Sequence, residues 1–230
     1  MQGNSHREIW FIRHGESVGN AGERTKEAPS YPLSALGFRQ AEQLAAALHA
    51  EPDLIVVSPY LRAQQTAEPA MRRFPNARVE EWPVQEVQYL DPALCVDTTQ
   101  DERRALSEEY WRRCDPHHAA PGAESFVEFS MRIGDAIERT LRRKERRIFV
   151  FCHGQVMQAI AWLALSKPAT PDSAAMRRFF HFMHGIPVPN CAILPLHHHA
   201  DGSRTVAGLW VPDGIDAEAA GRHQAGQAGV

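Results

Sequence analysis

Residues 9–17 have the sequence IWFIRHGES, in which four apolar residues lead directly into Arg13, His14 and Gly15. A short apolar run followed by a glycine turn is typical of a buried strand that ends at a polar loop. Glycine lets the backbone approach a ligand closely. The turn therefore presents a guanidinium and an imidazole side by side, as an anion site requires.

Two further apolar runs end in the same way. Residues 54–57 (LIVV) precede Ser58 and, one turn into a predicted helix, Arg62. Residues 148–152 (IFVFC) lead into His153 and a second glycine. Ligands of open α/β sheets bind at the carboxyl ends of neighbouring strands. The three runs together predict a pocket in which two Arg and two His bind a dianion, with a nucleophile among them.

The chain alternates strand-like runs with helix-like stretches, which predicts an α/β fold, a three-layer α/β/α sandwich with a mostly parallel central sheet. We interpret residues 1–211 as a single domain. Residues 87–125 are polar and read as a helical insertion that covers the site, and residues 166–190 as a second covering segment. Residues 212–230 are rich in Ala, Gly and Gln with few apolar anchors, so we expect a disordered tail.

Three local features give further expectations. Ser58, followed by Pro59, has the residue types of a helix N-cap and a first helical position. Residues 192–196 and 206–211 predict a hairpin. The histidines at 197–199 are interpreted as a solvated hairpin end, because consecutive strand residues face opposite sides and cannot all bind one ion.

The overall composition bounds the function. The 230 residues carry a net charge of −3, which provides no electrostatic case for nucleic acid or for an anionic membrane. The apolar runs are too short to span a bilayer or to form a signal peptide, and the four cysteines lack zinc-ligand spacing. We therefore expect a cytoplasmic protein without a metal site. Its oligomeric state is left open.

The motifs resemble those of the histidine phosphatase superfamily, which has the phosphoglycerate mutase-like fold. Four blocks carry the resemblance in the family's order: residues 13–17 with Asn20 shortly after, 58–67, 122–132 with its Gly-Glu-Ser-like start, and 153–154. The resemblance implies that the chain has this fold. Four separate blocks make it far more specific than any one of them.

The resemblance also implies a role for each pocket residue. His14 is the nucleophile and becomes phosphohistidine. The phosphoryl group is then held by Arg13, Arg62 and His153, with Asn20 and the backbone N–H of Gln155 assisting. Guanidinium groups bind phosphate oxygens as planar forks. No metal and no cofactor is required, because the Arg and His side chains supply the positive charge.

The proton donor to the leaving oxygen is assigned to Glu86. The family follows its acid with a Gly and Trp pattern, and residues 85–92 (QEVQYLDP) contain neither residue. Glu81 and Asp91 therefore stay open as alternatives.

The resemblance implies a phosphomonoesterase of the histidine acid phosphatase type, acting on a small phosphorylated substrate. One alternative is a cofactor-dependent phosphoglycerate mutase, but residues 18–26 do not resemble the long Trp-bearing segment that follows the first motif in mutases. A second alternative is a non-catalytic phosphoprotein-binding module, which would have no need of a nucleophile.

Overall fold

The computed structural model describes residues 7–166 and 171–216, and within them it has six strands and six α-helices. The strands are β1 Arg7–Arg13, β2 Leu54–Val57, β3 Arg78–Glu81, β4 Arg147–Cys152, β5 Ile193–His198 and β6 Arg204–Val206. The helices are α1 Ala35–Ala47, α2 Leu61–Arg73, α3 Arg104–Arg113, α4 Phe126–Leu141, α5 Gly154–Ser166 and α6 Ser173–Gly185. A short 3-10 helix, Pro92–Leu94, precedes α3.

The strands form one mixed sheet in the order β3-β2-β4-β1-β5-β6. The first four are mutually parallel, whereas β5 runs antiparallel to β1 and β6 antiparallel to β5. Alternate residues of β2 face opposite cores: Leu54 and Val56 pack with α4, α5 and α6, and Ile55 and Val57 pack with α1 and α2. The predicted α/β/α sandwich is therefore confirmed.

The order of the strands brings together the polar residues that follow β1, β2 and β4. β4 lies between β1 and β2, with Arg13 opposite Cys152 and Val57 opposite Phe151 in the parallel ladders. Because all three strands point the same way, the residues that follow them meet at one edge of the sheet.

The segment 166–190 contains a helix that the sequence analysis did not predict. Helix α6 places Met176, Phe179 and Met183 in the core beside α5. These residues have the i, i+3, i+7 spacing of an amphipathic helix, so the signal was present in the sequence. The segment 87–125 likewise contributes to the core, through Tyr110 and Trp111 of α3.

Two expectations about the C-terminal part are corrected. Residues 212–216, assigned to a disordered tail, pack against α1: Ile215 is buried, and Gln40 Nε2 donates to the Asp216 carbonyl at 2.7 Å. The rest of that tail, 217–230, lies outside the described residues. The predicted hairpin is formed by β5 and β6, but its histidines are not all solvated. His198 is only 2% exposed because it faces the core layer under α4.

No helix in the described residues has both the length and the apolar composition needed to cross a membrane.

Candidate active site

His14 stands at the centre of the polar cluster, directly after β1, and is only 4% exposed. Its Nδ1 lies 2.6 Å from the carbonyl oxygen of Gly15, an acceptor, so Nδ1 carries the proton. Burial and the cations Arg62 and Arg13 hold the pKa of His14 well below its ordinary value of 6.5. The ring is therefore neutral near pH 7, and its unprotonated Nε2 carries a lone electron pair.

Arg62 approaches His14 from the first turn of α2. Its Nε donates to His14 Nε2 at 3.2 Å, and its Nη1 donates to the carbonyl of Ala28 at 2.8 Å. Its guanidinium carbon also lies 4.3 Å from the ring centre of Tyr31 and 4.8 Å from that of Tyr60. Aromatic faces on a buried guanidinium fix its orientation without neutralising its charge.

Arg13, at the end of β1, is the second cation of the cluster. Its Nη1 donates to the carbonyl of Val188, and its buried Nε has no partner among the described residues. Burial lowers the pKa of its guanidinium, although the nearby Glu86 carboxyl opposes that effect. An unpaired N–H on a buried cation is a site where an anion gains a charge-assisted hydrogen bond.

His153 follows β4 and caps α5, where its carbonyl accepts from Met157 N at 3.0 Å. Its ring centre lies 5.1 Å from that of His14, and its side chain is fully buried. Nε2 is 2.8 Å from Ser58 Oγ, whereas Nδ1 has no partner within the described part of the chain. Burial and the neighbouring Arg62 hold the pKa of His153 well below 6.5, so its ring is neutral as well.

Ser58 has a different role from the one predicted. It does not cap α2, which begins at Leu61 with Tyr60 in the N-cap position. Its hydroxyl accepts from Tyr60 N at 3.3 Å and is hydrogen-bonded to His153. Ser58 takes this role because it is buried next to His153, which follows the adjacent strand β4. The spacing of residues in the sequence cannot reveal such a neighbour.

Glu86 lies beside the cationic side chains, in the loop after β3. Its carboxylate oxygens accept from Gln155 N and from Val87 N, both at 3.2 Å. Burial raises the pKa of Glu86 above its ordinary value of 4.5, although those N–H groups and the cations Arg62 and Arg13 act in the opposite direction. A carboxyl group whose pKa is raised keeps its proton to higher pH, as a proton donor must.

The two alternative acids occupy other positions. Glu81 is exposed at the end of β3, and its Oε2 accepts weakly from Gln64 at 3.4 Å. Asp91 caps the 3-10 helix by accepting from Ala93 N at 2.9 Å. Glu86, in contrast, is among the charged groups that act on the Arg13 guanidinium.

Asn20 and the backbone N–H of Gln155, which were expected to assist in binding the phosphoryl group, both form hydrogen bonds with other residues. Asn20 Oδ1 accepts from Ser17 Oγ at 3.0 Å and from Asn190 at 3.3 Å, while its Nδ2 donates to no other described residue. The backbone N–H of Gln155, expected to hold the phosphoryl group, donates instead to Glu86. Asn190, which the sequence analysis missed, also donates to the carbonyl of His14 at 2.9 Å.

The first motif is held by contacts with α1 and α2. The Glu16 carboxylate accepts through Oε1 from the Ser34 hydroxyl at 2.6 Å. Gly15 serves close packing with α1, since a Cβ there would lie 2.7 Å from the carbonyl oxygen of Gly37. In addition, Gly15 N donates to Thr66 Oγ1 at 3.0 Å, which ties the turn to α2.

The site thus combines the buried Arg62, the half-buried Arg13, two neutral histidines and one carboxyl group of raised pKa. No group of three or more His, Cys, Asp or Glu side chains in the described ranges is arranged to hold a metal ion. The unpaired donors Arg13 Nε and the Asn20 amide suit phosphate oxygens. The lone electron pair of His14 Nε2 is suited to attack on phosphorus.

Comparison with known proteins agrees with this chemistry. The sequence profile of the histidine phosphatase superfamily (branch 1) matches residues 9–207. The chain belongs to the histidine phosphatase superfamily. The resemblance drawn from the four motifs is therefore confirmed.

Relatives of this superfamily member include a phosphatase and a probable mutase. The chain is 32% identical over 170 residues to the adenosylcobalamin/alpha-ribazole phosphatase of Escherichia coli. The aligned region covers 70% of this chain and 80% of the relative. The chain is 27% identical over 168 residues to a probable phosphoglycerate mutase of Proteus mirabilis, covering 70% and 76%. These named activities support an enzyme over a binding module.

Solved structures share the fold. The alpha-ribazole phosphatase from Shigella flexneri has a TM-score of 0.69 at 22% identity, covering 88% of this chain and 95% of that one. A mycobacterial glucosyl-3-phosphoglycerate phosphatase has a TM-score of 0.67 at 22% identity, covering 90% and 100%. At 22% identity, these similarities show the fold alone.

Proposed function

We propose that this histidine phosphatase superfamily member is a phosphomonoester hydrolase that acts through a phosphohistidine on His14 and needs no metal. One observation carries the proposal. The Gly15 carbonyl holds the proton of His14 on Nδ1, so that Nε2 keeps its electron pair next to Arg62 and within the electrostatic reach of Arg13. A neutral nucleophile surrounded by cationic donors suits attack on a dianionic phosphoryl group.

In the first step, His14 Nε2 forms a bond to phosphorus while the bond from phosphorus to the ester oxygen breaks. Glu86 gives its proton to the leaving oxygen, so an alcohol departs rather than an alkoxide. Positive charge that develops on the imidazole is stabilised by the Gly15 carbonyl, which accepts from Nδ1. Arg13 and Arg62 stabilise the charge spread over the three equatorial oxygens.

In the second step, water attacks the phosphorus and the bond to Nε2 breaks. Glu86, now a carboxylate, accepts the proton of that water. Inorganic phosphate leaves, His14 returns to the neutral form and Glu86 is protonated again. His153 and Asn20 hold the phosphoryl oxygens through both steps. The electron and proton balance closes without a metal or a co-reactant.

The substrate class we propose is a small phosphorylated metabolite. The 32% identity to a phosphatase supports net hydrolysis over the mutase alternative. A mutase would retain the phosphoryl group on the enzyme until it is transferred to a second substrate. The two reactions differ in whether free phosphate accumulates.

The test measures phosphate release from p-nitrophenyl phosphate by wild type, His14→Ala and the control His117→Ala, which alters an exposed histidine of the 87–125 segment. We expect turnover by wild type and the control, unchanged by EDTA, and none by His14→Ala. An enzyme quenched during turnover should carry acid-labile, alkali-stable phosphate. Normal turnover by His14→Ala would refute the mechanism. Interconversion of phosphoglycerates without net phosphate release would favour the mutase.

A further inference from the structure

The loop that carries Glu86 has no regular secondary structure between β3 and the 3-10 helix. Its backbone carbonyls therefore find no partners in a helix or a sheet ladder, and such groups need donors when they are withdrawn from water. A proton donor on this loop can hold its carboxyl in place only if the backbone on both sides is anchored.

Arg132 of α4 provides the anchor on the N-terminal side. Its Nη1 donates to the carbonyl of Pro83 at 2.9 Å and to that of Gln85 at 3.1 Å, the residue just before Glu86. A single guanidinium nitrogen thus bridges two carbonyls of the loop.

Glu124 fixes the orientation of that guanidinium. Its carboxylate accepts from Arg132 Nε at 3.0 Å and also from Arg132 Nη2, a bidentate arrangement. The backbone N–H of Glu124 donates to the carbonyl of Gln88 at 2.9 Å, on the C-terminal side of Glu86. The pair therefore anchors the loop on both sides of the proton donor.

The pair is shielded from solvent. The Arg132 and Glu124 side chains are 14% and 21% exposed, and the guanidinium carbon of Arg132 lies 5.4 Å from the ring centre of Phe129. A shielded, bidentate pair holds its geometry far better than an exposed one. Lysine could keep the charge, but a single ammonium does not reproduce the planar fork.

We propose that Arg132, held by Glu124, is a positioning residue that sets the carboxyl of Glu86 for proton donation. This inference rests on the proposed function of Glu86. Loosening the anchor should impair proton donation while leaving the phosphate clamp in place.

The test compares two esters that differ in their need for a proton. Nitrophenolate leaves without one, whereas the leaving group of phenyl phosphate is a much stronger base. We would measure kcat and KM for both esters with wild type, Arg132→Lys and Glu124→Gln. The matched control is Arg147→Lys. Arg147 also pairs with a carboxylate, Glu8 at 3.0 Å, and donates to the carbonyl of Glu51 at 3.0 Å. It lies at the start of β4, at the end of the sheet opposite to the site.

We expect both variants to lose at least tenfold in kcat/KM on phenyl phosphate and less than threefold in kcat/KM on p-nitrophenyl phosphate. This ratio reports the first step, in which the leaving oxygen needs the proton, and general acid catalysis contributes about 10²–10⁴ in rate. The control should lose equally little in kcat/KM on both esters. Equal losses on the two esters, or failure of both variants to fold, would overturn the positioning role. A wild type that hydrolyses neither ester would instead refute the proposed function and this inference with it.

Discussion

The Nε of Arg62 donates a hydrogen bond to His14 Nε2 at 3.2 Å. This contact joins the carboxyl ends of two strands that are separated by β4 in the sheet. It occupies the electron pair that we assign to nucleophilic attack, so an arriving phosphoryl group must take over the Nε–H of Arg62. The exchange couples binding of the phosphoryl group to release of the nucleophile.

Arg62→Lys should lower kcat/KM for p-nitrophenyl phosphate by about 10²–10³, the usual cost of removing one donor from a transition-state oxyanion. Lysine keeps the charge but loses the Nε–H and the fork that stacks against Tyr31 and Tyr60. Steady-state kinetics checks this, with Arg73→Lys, at the exposed end of the same helix, as the control. Wild-type kcat/KM in Arg62→Lys would contradict the assigned role.

The activity on phenyl phosphate should decline as pH rises through the pKa of Glu86, which burial places above 4.5. The donor works only in its protonated form, so the decline belongs to the alkaline side of the profile. His14, with its pKa well below 6.5, stays neutral and adds no loss between neutrality and mildly acidic pH. In Glu86→Gln we expect a rate lower by about 10²–10⁴ and no such decline. A Glu86→Gln profile that keeps the alkaline decline would show that another group is the donor.

Ser58→Ala should reduce kcat/KM about tenfold through His153. Because Tyr60 N already donates to Ser58 Oγ, the serine proton is free to go to His153 Nε2, which leaves the ring proton on Nδ1 as a phosphate donor. Nitrogen-15 NMR of the imidazoles should find His153 protonated on Nδ1 in wild type and a mixture of tautomers in Ser58→Ala. Finding the wild-type proton on Nε2 would refute this account.

His198 should make the protein less stable in acid. Burial lowers its pKa to about 4, with Arg204, Arg7 and His199 acting in the same direction and Glu138 opposing them. An unfolded chain binds a proton at this histidine below about 6.5, whereas the folded chain does so only near pH 4, so stability is lost as pH falls through that interval.

His198→Gln, which can keep a hydrogen bond to Thr140 Oγ1, should therefore lose less in Tm than wild type between pH 7 and pH 5. The control is His117→Gln, at an exposed position, which should follow wild type. Thermal unfolding at several pH values checks this. Parallel curves for wild type and His198→Gln would exclude His198 as a source of the pH dependence.

The linear sequence was sufficient to predict much of the molecule. Apolar runs that end in Arg-His-Gly or His-Gly predict buried strands with polar exits, and strand periodicity is a local property of consecutive residues. The family motifs then indicated which side chains gather at the pocket. The structure brings His14, Arg13, Arg62 and His153 together, and the family assignment was confirmed.

The errors fall where a residue's partner comes from a distant part of the chain. Ser58 has the residue type of an N-cap, but it bonds a histidine 95 positions away. His198 looked solvated in sequence and faces Thr140 of α4. Helix α6 had a readable periodicity that its flanking Pro and Gly residues concealed.

The sequence by itself determined the strands, their polar exits and the family, because those depend on consecutive residues and on motif order. Only the tertiary structure decided the protonation states and the anchor of the proton donor. Burial among Arg13, Arg62 and the sheet edge keeps His14 neutral, and Arg132 reaches Pro83 and Gln85 from a separate helix. Desolvation and hydrogen bonding between distant segments exist only once the chain has packed.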